Sequence, residues 1–79
     1  MTDDTVGLYR VILTDVERSP GGNIRVHFEL RHGADPDFIG GCHGASEWYS
    51  DAGAATARAF ELGRHTARLR VEIDKIMSH

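Results

Sequence analysis

AGAATARAFELGRHTARLRVEIDKIM, residues 52–77, is the stretch whose reading decides the fold. Two periods compete in it. Ala52, Ala55, Ala59, Leu62, Thr66, Leu69, Ile73 and Ile76 recur at spacings of three and four, which at about 100° per residue gathers them into one stripe of an α-helix. Glu61, Arg64, Arg68, Glu72 and Lys75 then lie on the opposite side. Arg68 with Glu72, and Arg70 with Asp74, stand four apart, where opposite charges on a helix meet. The rival period is two: between Thr66 and Asp74, Ala67, Leu69, Val71 and Ile73 alternate with Arg68, Arg70, Glu72 and Asp74. On that reading Gly63 ends the helix and a final strand follows. The continuous helix from Ala52 to Met77 explains more positions, and no proline or asparagine marks a reversal. Gly63 costs it about 1 kcal/mol relative to alanine. Ser50 or Asp51 can cap its first free amides.

Upstream the chain reads as strands and turns. Met1 to Thr5 is polar and expected to fray. Val6 to Glu17, VGLYRVILTDVE, carries apolar groups on both faces, as a central strand does. Arg18 to Asn23 contains Pro20, Gly21 and Gly22, which is turn chemistry. From Asn23 to His32, Ile24, Val26, Phe28 and Leu30 point one way while Arg25, His27, Glu29 and Arg31 point the other, giving a half-buried strand. Gly33 to Asp37, broken by Pro36, reads as a second turn. Phe38 to Ala45, FIGGCHGA, reads as a short edge strand or a loop crossing the sheet, because glycines weaken strands. The expected fold is α+β in a single domain over residues 1–79: an antiparallel β-hairpin of two or three strands packed against one long C-terminal helix.

Composition narrows the function. Hydrophobic residues make up 41% and charged residues 27%, a globular balance. Nine Lys and Arg against twelve Asp and Glu leave a formal charge of −3, which argues against nonspecific binding of duplex nucleic acid. The single cysteine, Cys42, allows no internal disulfide and fits a reducing cytoplasm. The opening MTDDTVGLYR has no basic and apolar signal-peptide pattern, and no apolar run approaches the roughly 18 residues of a membrane span. With 79 residues the core is small, so a second copy is a reasonable source of stability. A helix of this length would run about 40 Å against about 30 Å for a nine-residue strand. The surplus, carrying Leu69, Ile73, Ile76 and Met77, is expected to need cover.

Several residues invite a chemical reading. His27, His32, Cys42 and His43 are the available metal ligands, but their spacing matches no zinc pattern, and His27 and His32 fall on opposite faces of one strand. Gly40 to Gly44 resembles a phosphate cradle only in its glycines, lacking the Lys-Ser/Thr of a P-loop; it is read as backbone crossing close to the sheet. Cys42 and His43 are adjacent, an arrangement that rarely aims both side chains at one point. Asp35 and Asp37 flank Pro36 and are read as turn residues. So short a chain also offers little volume for a substrate pocket, and neither catalysis nor a cofactor is expected. The polar face of the second strand, Arg25, His27 and Arg31 with Arg10 nearby, is a candidate recognition surface beside the plainer reading of a solvated face. Trp48 and Tyr49 are expected to be core lids, with an aromatic contact site as the alternative.

The turn Pro20 to Gly22, the strand IRVHFELRHG (Ile24 to Gly33) and the segment SDAGAATARAF (Ser50 to Phe60) together resemble small bacteriophage accessory proteins, among them some type I anti-CRISPR proteins. The resemblance spans about two thirds of the chain. Family members that finish with a strand depart from the long helix adopted here. The resemblance implies a stoichiometric inhibitor that occludes a host protein or ribonucleoprotein surface, with Asp3, Asp4, Asp15, Glu17, Asp35 and Asp37 available for an acidic patch. The expectation is thus a non-catalytic, partner-binding protein acting through Arg25, His27, Arg31, Trp48, Tyr49, Leu69, Ile73 and Ile76. The alternative is a homodimeric or larger assembly protein packed through its C-terminal helix.

Overall fold

The structure, a computed structural model, describes residues 3–33 and 42–77. Four strands, β1 (Asp3–Val6), β2 (Tyr9–Arg18), β3 (Ile24–His32) and β4 (His43–Ala45), form one antiparallel sheet in the order β1-β2-β3-β4, and α1 (Ala52–Met77) covers one face. The α+β class and the uninterrupted C-terminal helix are as the sequence indicates, and the hairpin of β2 and β3 sits at the centre of the sheet.

The expected first strand is in fact two. At Gly7 the chain adopts φ +59°, so it reverses over Gly7 and Leu8 and pairs Val6 with Tyr9 and Asp3 with Ile12. Positive φ at the first of two turn residues alone is the pattern of a type II′ hairpin, whose twist matches its strands. Asp3 and Asp4 therefore belong to a strand rather than to a frayed end. The second hairpin closes over Pro20 to Gly22. Gly22 N–H donates to the Ser19 carbonyl at 3.0 Å, and Gly22 itself takes φ +86°.

On β3 the alternation holds: Ile24, Val26, Phe28 and Leu30 are buried toward the helix, and Arg25, His27, Glu29 and Arg31 face away. Strand β2 turns Tyr9, Val11 and Leu13 toward the helix. A bulge between Leu13 and Asp15 then shifts the register, so that Val16 opposes Val26, and Asp15 and Glu17 oppose His27 and Arg25 on the open face. One extra residue, Thr14, thereby keeps two carboxylates out of the core. Of the expected third strand 38–45, His43–Ala45 is strand β4; residues 38–41 and the turn residues 34–37 lie outside the described residues.

The face that α1 turns to the sheet differs from the expected stripe. Ala55, Ala59, Gly63 and Ala67 are the buried positions, and Ala52 is exposed. A four-residue step advances about 40° around a helix, so this line of small residues winds slowly along α1. The bulk comes instead from the sheet, where Tyr9, Val11, Val26, Phe28 and Leu30 fill the interface. Gly63 is the point of closest approach, since a Cβ there would lie 2.4 Å from Val11 Cγ1. Gly63 is kept neither as a helix stop nor as a tolerated defect. It lets the helix backbone settle onto β2.

The helix stays over the sheet as far as Asp74. Val71 packs against the core, its Cγ2 lying 3.3 Å from the position of a Cβ on Gly7, and Tyr9 Oη donates to Asp74 Oδ2 at 2.5 Å. The helix still rests on the β1–β2 turn at Asp74. Leu69, Ile73 and Ile76 are exposed because they point away from the sheet, with 52%, 48% and 71% of their surface accessible.

The helix start is fixed by Asp51, whose Oδ2 accepts the Ala54 amide at 2.9 Å. Asp51→Ala should cost about 1 kcal/mol, read as a lower urea midpoint at unchanged slope, whereas Ser50→Ala should leave the midpoint in place.

Candidate functional site

The face of the sheet opposite α1 carries the polar side chains. Their positions follow from register. Glu17 opposes Arg25, Asp15 opposes His27, Ile12 opposes Glu29, and Arg10 opposes Arg31 across β2 and β3. On the other side of β3, Ala45 opposes His27 and His43 opposes Glu29. The result is a surface of both signs.

Glu17 organises one end of it. Its Oε1 accepts hydrogen bonds from Arg25 Nε at 3.1 Å and Nη2 at 2.8 Å, and lies 2.9 Å from His27 Nε2. The contact with His27 and then that with Arg25 hold the Glu17 carboxyl below the usual carboxylate range. Pinned from one side, the Arg25 guanidinium lies over the Trp48 ring, 4.5 Å from its centroid. Such stacking lets the flat cation meet the negative face of the indole. Trp48 keeps 40% of its surface exposed, so it lies at the surface rather than in the core as expected. The reason is that its segment follows β3, bonded to it through Ser46 and Tyr49, and Trp48 falls beside Arg25 on the open face. Its neighbour Tyr49 makes a two-way backbone bridge with Ile24, at 2.7 and 2.9 Å, and is half-buried against the core. At the other end Arg31 pairs with Glu29 at 2.5 Å.

Of the residues singled out in the sequence, the structure thus gathers Arg25, His27 and Trp48, leaves Arg31 on the same face in a separate pair, turns Tyr49 inward, and places Leu69, Ile73 and Ile76 on the far side of the molecule. Glu17, offered for an acidic patch, is instead neutralised by its two partners. Asp35 and Asp37 lie outside the described residues.

The metal and nucleophile readings find no shared site. His27 and His43 occupy the open face, whereas His32 stacks edge-on to Tyr9, 5.0 Å between centroids, and Cys42 packs on the core. Cys42 and His43 therefore diverge. Among the described residues no group of three His, Cys, Asp or Glu converges on one point. Gly44 does bring backbone close to the sheet: a Cβ there would lie 2.9 Å from Phe28 Cζ. Gly40 and Gly41 lie outside the described residues.

Two polar features escaped the sequence reading. Arg58 on α1 pairs with Glu47 at 3.0 Å, tying the segment before the helix to the helix itself. Tyr9, read only as a strand residue, donates to Asp74, which with burial raises its pKa, while Arg70 opposes the shift. Both join residues more than ten apart in sequence, where no local period signals contact. No helix among the described residues is long and apolar enough to cross a membrane. Compared with known protein families, with curated proteins and with solved structures, the chain matches none.

A depressed carboxyl stabilises the fold above its unfolded pKa and loses that contribution as pH falls through its folded pKa. Glu17→Gln should therefore melt below the parent at neutral pH, and the gap should close as the solution is acidified through and below the carboxylate range. A gap that stays constant through that range would show the Glu17 contacts to be silent.

Proposed function

We propose that this chain is a non-catalytic binding protein that docks a protein partner on the open face of its sheet, with the Arg25–Trp48 stack at the centre of contact. The observation that carries this reading is the stack itself, held in place by Glu17 while the indole stays accessible. Arginine and tryptophan are the residue types that dominate interface energetics, and a side chain already fixed before binding loses less entropy on contact. The mixed signs of Glu17, Arg25, His27, Glu29 and Arg31 suit a protein surface better than a phosphate backbone, as does the net charge of −3. The resemblance to phage accessory proteins supplies the most specific form of the reading: an inhibitor that occludes a surface of a host ribonucleoprotein complex.

The test is affinity capture from a bacterial lysate with parent and Arg25→Ala/Trp48→Ala chains side by side. The reading expects a specific protein that the parent retains and the double variant loses by at least about tenfold, while both melt alike. A partner held equally by both chains would place the contact elsewhere.

A further inference from the structure

The helix carries two stripes, and the sheet uses only one through its second half. Ala55, Ala59, Gly63 and Ala67 follow a step of four and advance about 160° with Val71 included. Ala55, Ala59, Leu62, Thr66, Leu69, Ile73 and Ile76 follow alternating steps of four and three. That is the heptad spacing of a seam between helices, with Ala59, Thr66 and Ile73 at its a positions and Leu62, Leu69 and Ile76 at its d positions. The two stripes coincide at Ala55 and Ala59 and then separate. By Leu69 the seam points nearly opposite to the sheet. Leu62 and Thr66 are half-buried, and Leu69, Ile73 and Ile76 are exposed.

We propose that two copies of this chain pair through that seam, their α1 helices antiparallel and in contact from Leu62 to Ile73. A sheet would ask for a step that tracks its twist, whereas a 3-4 repeat is the spacing a second helix fills. The flanking polar residues select the direction. Taking Thr66 and Ile73 as a positions, the flanking g positions are His65, whose imidazole N–H can donate, and Glu72, a carboxylate 3.7 Å from Lys75 of its own helix, both exposed. In the antiparallel pair that sets Leu62 beside Ile73 and Thr66 beside Leu69 of the second copy, His65 of each copy faces Glu72 of the other. A parallel pair would set His65 beside Arg70 and Glu72 beside Met77, and would align the two helix dipoles unfavourably. The pairing is independent of the open sheet face and leaves Arg25 and Trp48 accessible.

Sedimentation equilibrium of the full chain from about 10 µM to about 1 mM tests it, because a modest helix interface dissociates by mass action within that span. The parent should move from monomer toward dimer mass. Ile73→Asp should remain monomeric while keeping the parent's circular dichroism. Glu72→Arg should weaken association by about tenfold, and His65→Glu/Glu72→Arg should restore it. A parent that stays monomeric throughout, or a dimer untouched by Ile73→Asp, overturns the proposal. Association that ignores the charge swap and its reversal overturns the antiparallel arrangement. Neither result bears on capture through Arg25 and Trp48.

Discussion

Between Gly63 and Val11 there is no room for a methyl group, since a Cβ on the helix would lie 2.4 Å from one valine carbon and 3.0 Å from another. The other features of the core adjust to that approach. With alanine on either side of Gly63 along the buried line, the fully buried bulk comes from the sheet, while Phe60, Leu62 and Val71 of the helix pack against it and stay partly buried. The same closeness brings Val71 onto the Gly7 turn and Asp74 within reach of Tyr9, so the β1–β2 hairpin is closed by the end of the helix.

This constraint also explains why the large apolar residues of α1 are left outside. A helix seated on small residues has no use for Leu69, Ile73 and Ile76 at the sheet, and the slow winding of the buried line carries them to the far side. The molecule therefore presents two surfaces of different chemistry. One is apolar and regular in spacing, suited to a second helix. The other is charged and carries an arginine fixed between a carboxylate and an exposed indole. The bulge at Leu13 to Asp15 belongs to this division, because it delivers Asp15 and Glu17 to the charged side.

Local periodicity made much of this legible. The alternation of β3 gave its buried and open faces residue by residue, and the length of the apolar repeat over 52–77 gave the helix. The errors have a common cause, which is treating size as a guide to burial. The periodicity places Leu69, Ile73 and Ile76 on the overhang of a sheet-facing stripe, although alanine and glycine occupy the buried line, and it makes Trp48 a core lid, although Trp48 lies over Arg25. A glycine in a helix can mark an end, a defect or a contact, and only the partner across the gap distinguishes these. Gly7 was missed for the simpler reason that one glycine in a run of β-formers gives little warning of a reversal. Arg25 and His27 are legible as part of an outward row, but Glu17, which holds both, pairs with them only through register set by the bulge.

The closeness of helix and sheet is tested most directly by a double-mutant cycle on Gly63→Ala and Val11→Ala, with unfolding free energies from urea titration. In an exposed helix the glycine replacement gains about 1 kcal/mol. Here the overpacked methyl should reverse that sign and cost about 1–3 kcal/mol in the parent. It should turn neutral or stabilising once Val11 is alanine, because the two nearest carbons are then gone. Equal stabilisation by Gly63→Ala in both backgrounds would mean that the helix stands off from β2, and the account of the core would fail.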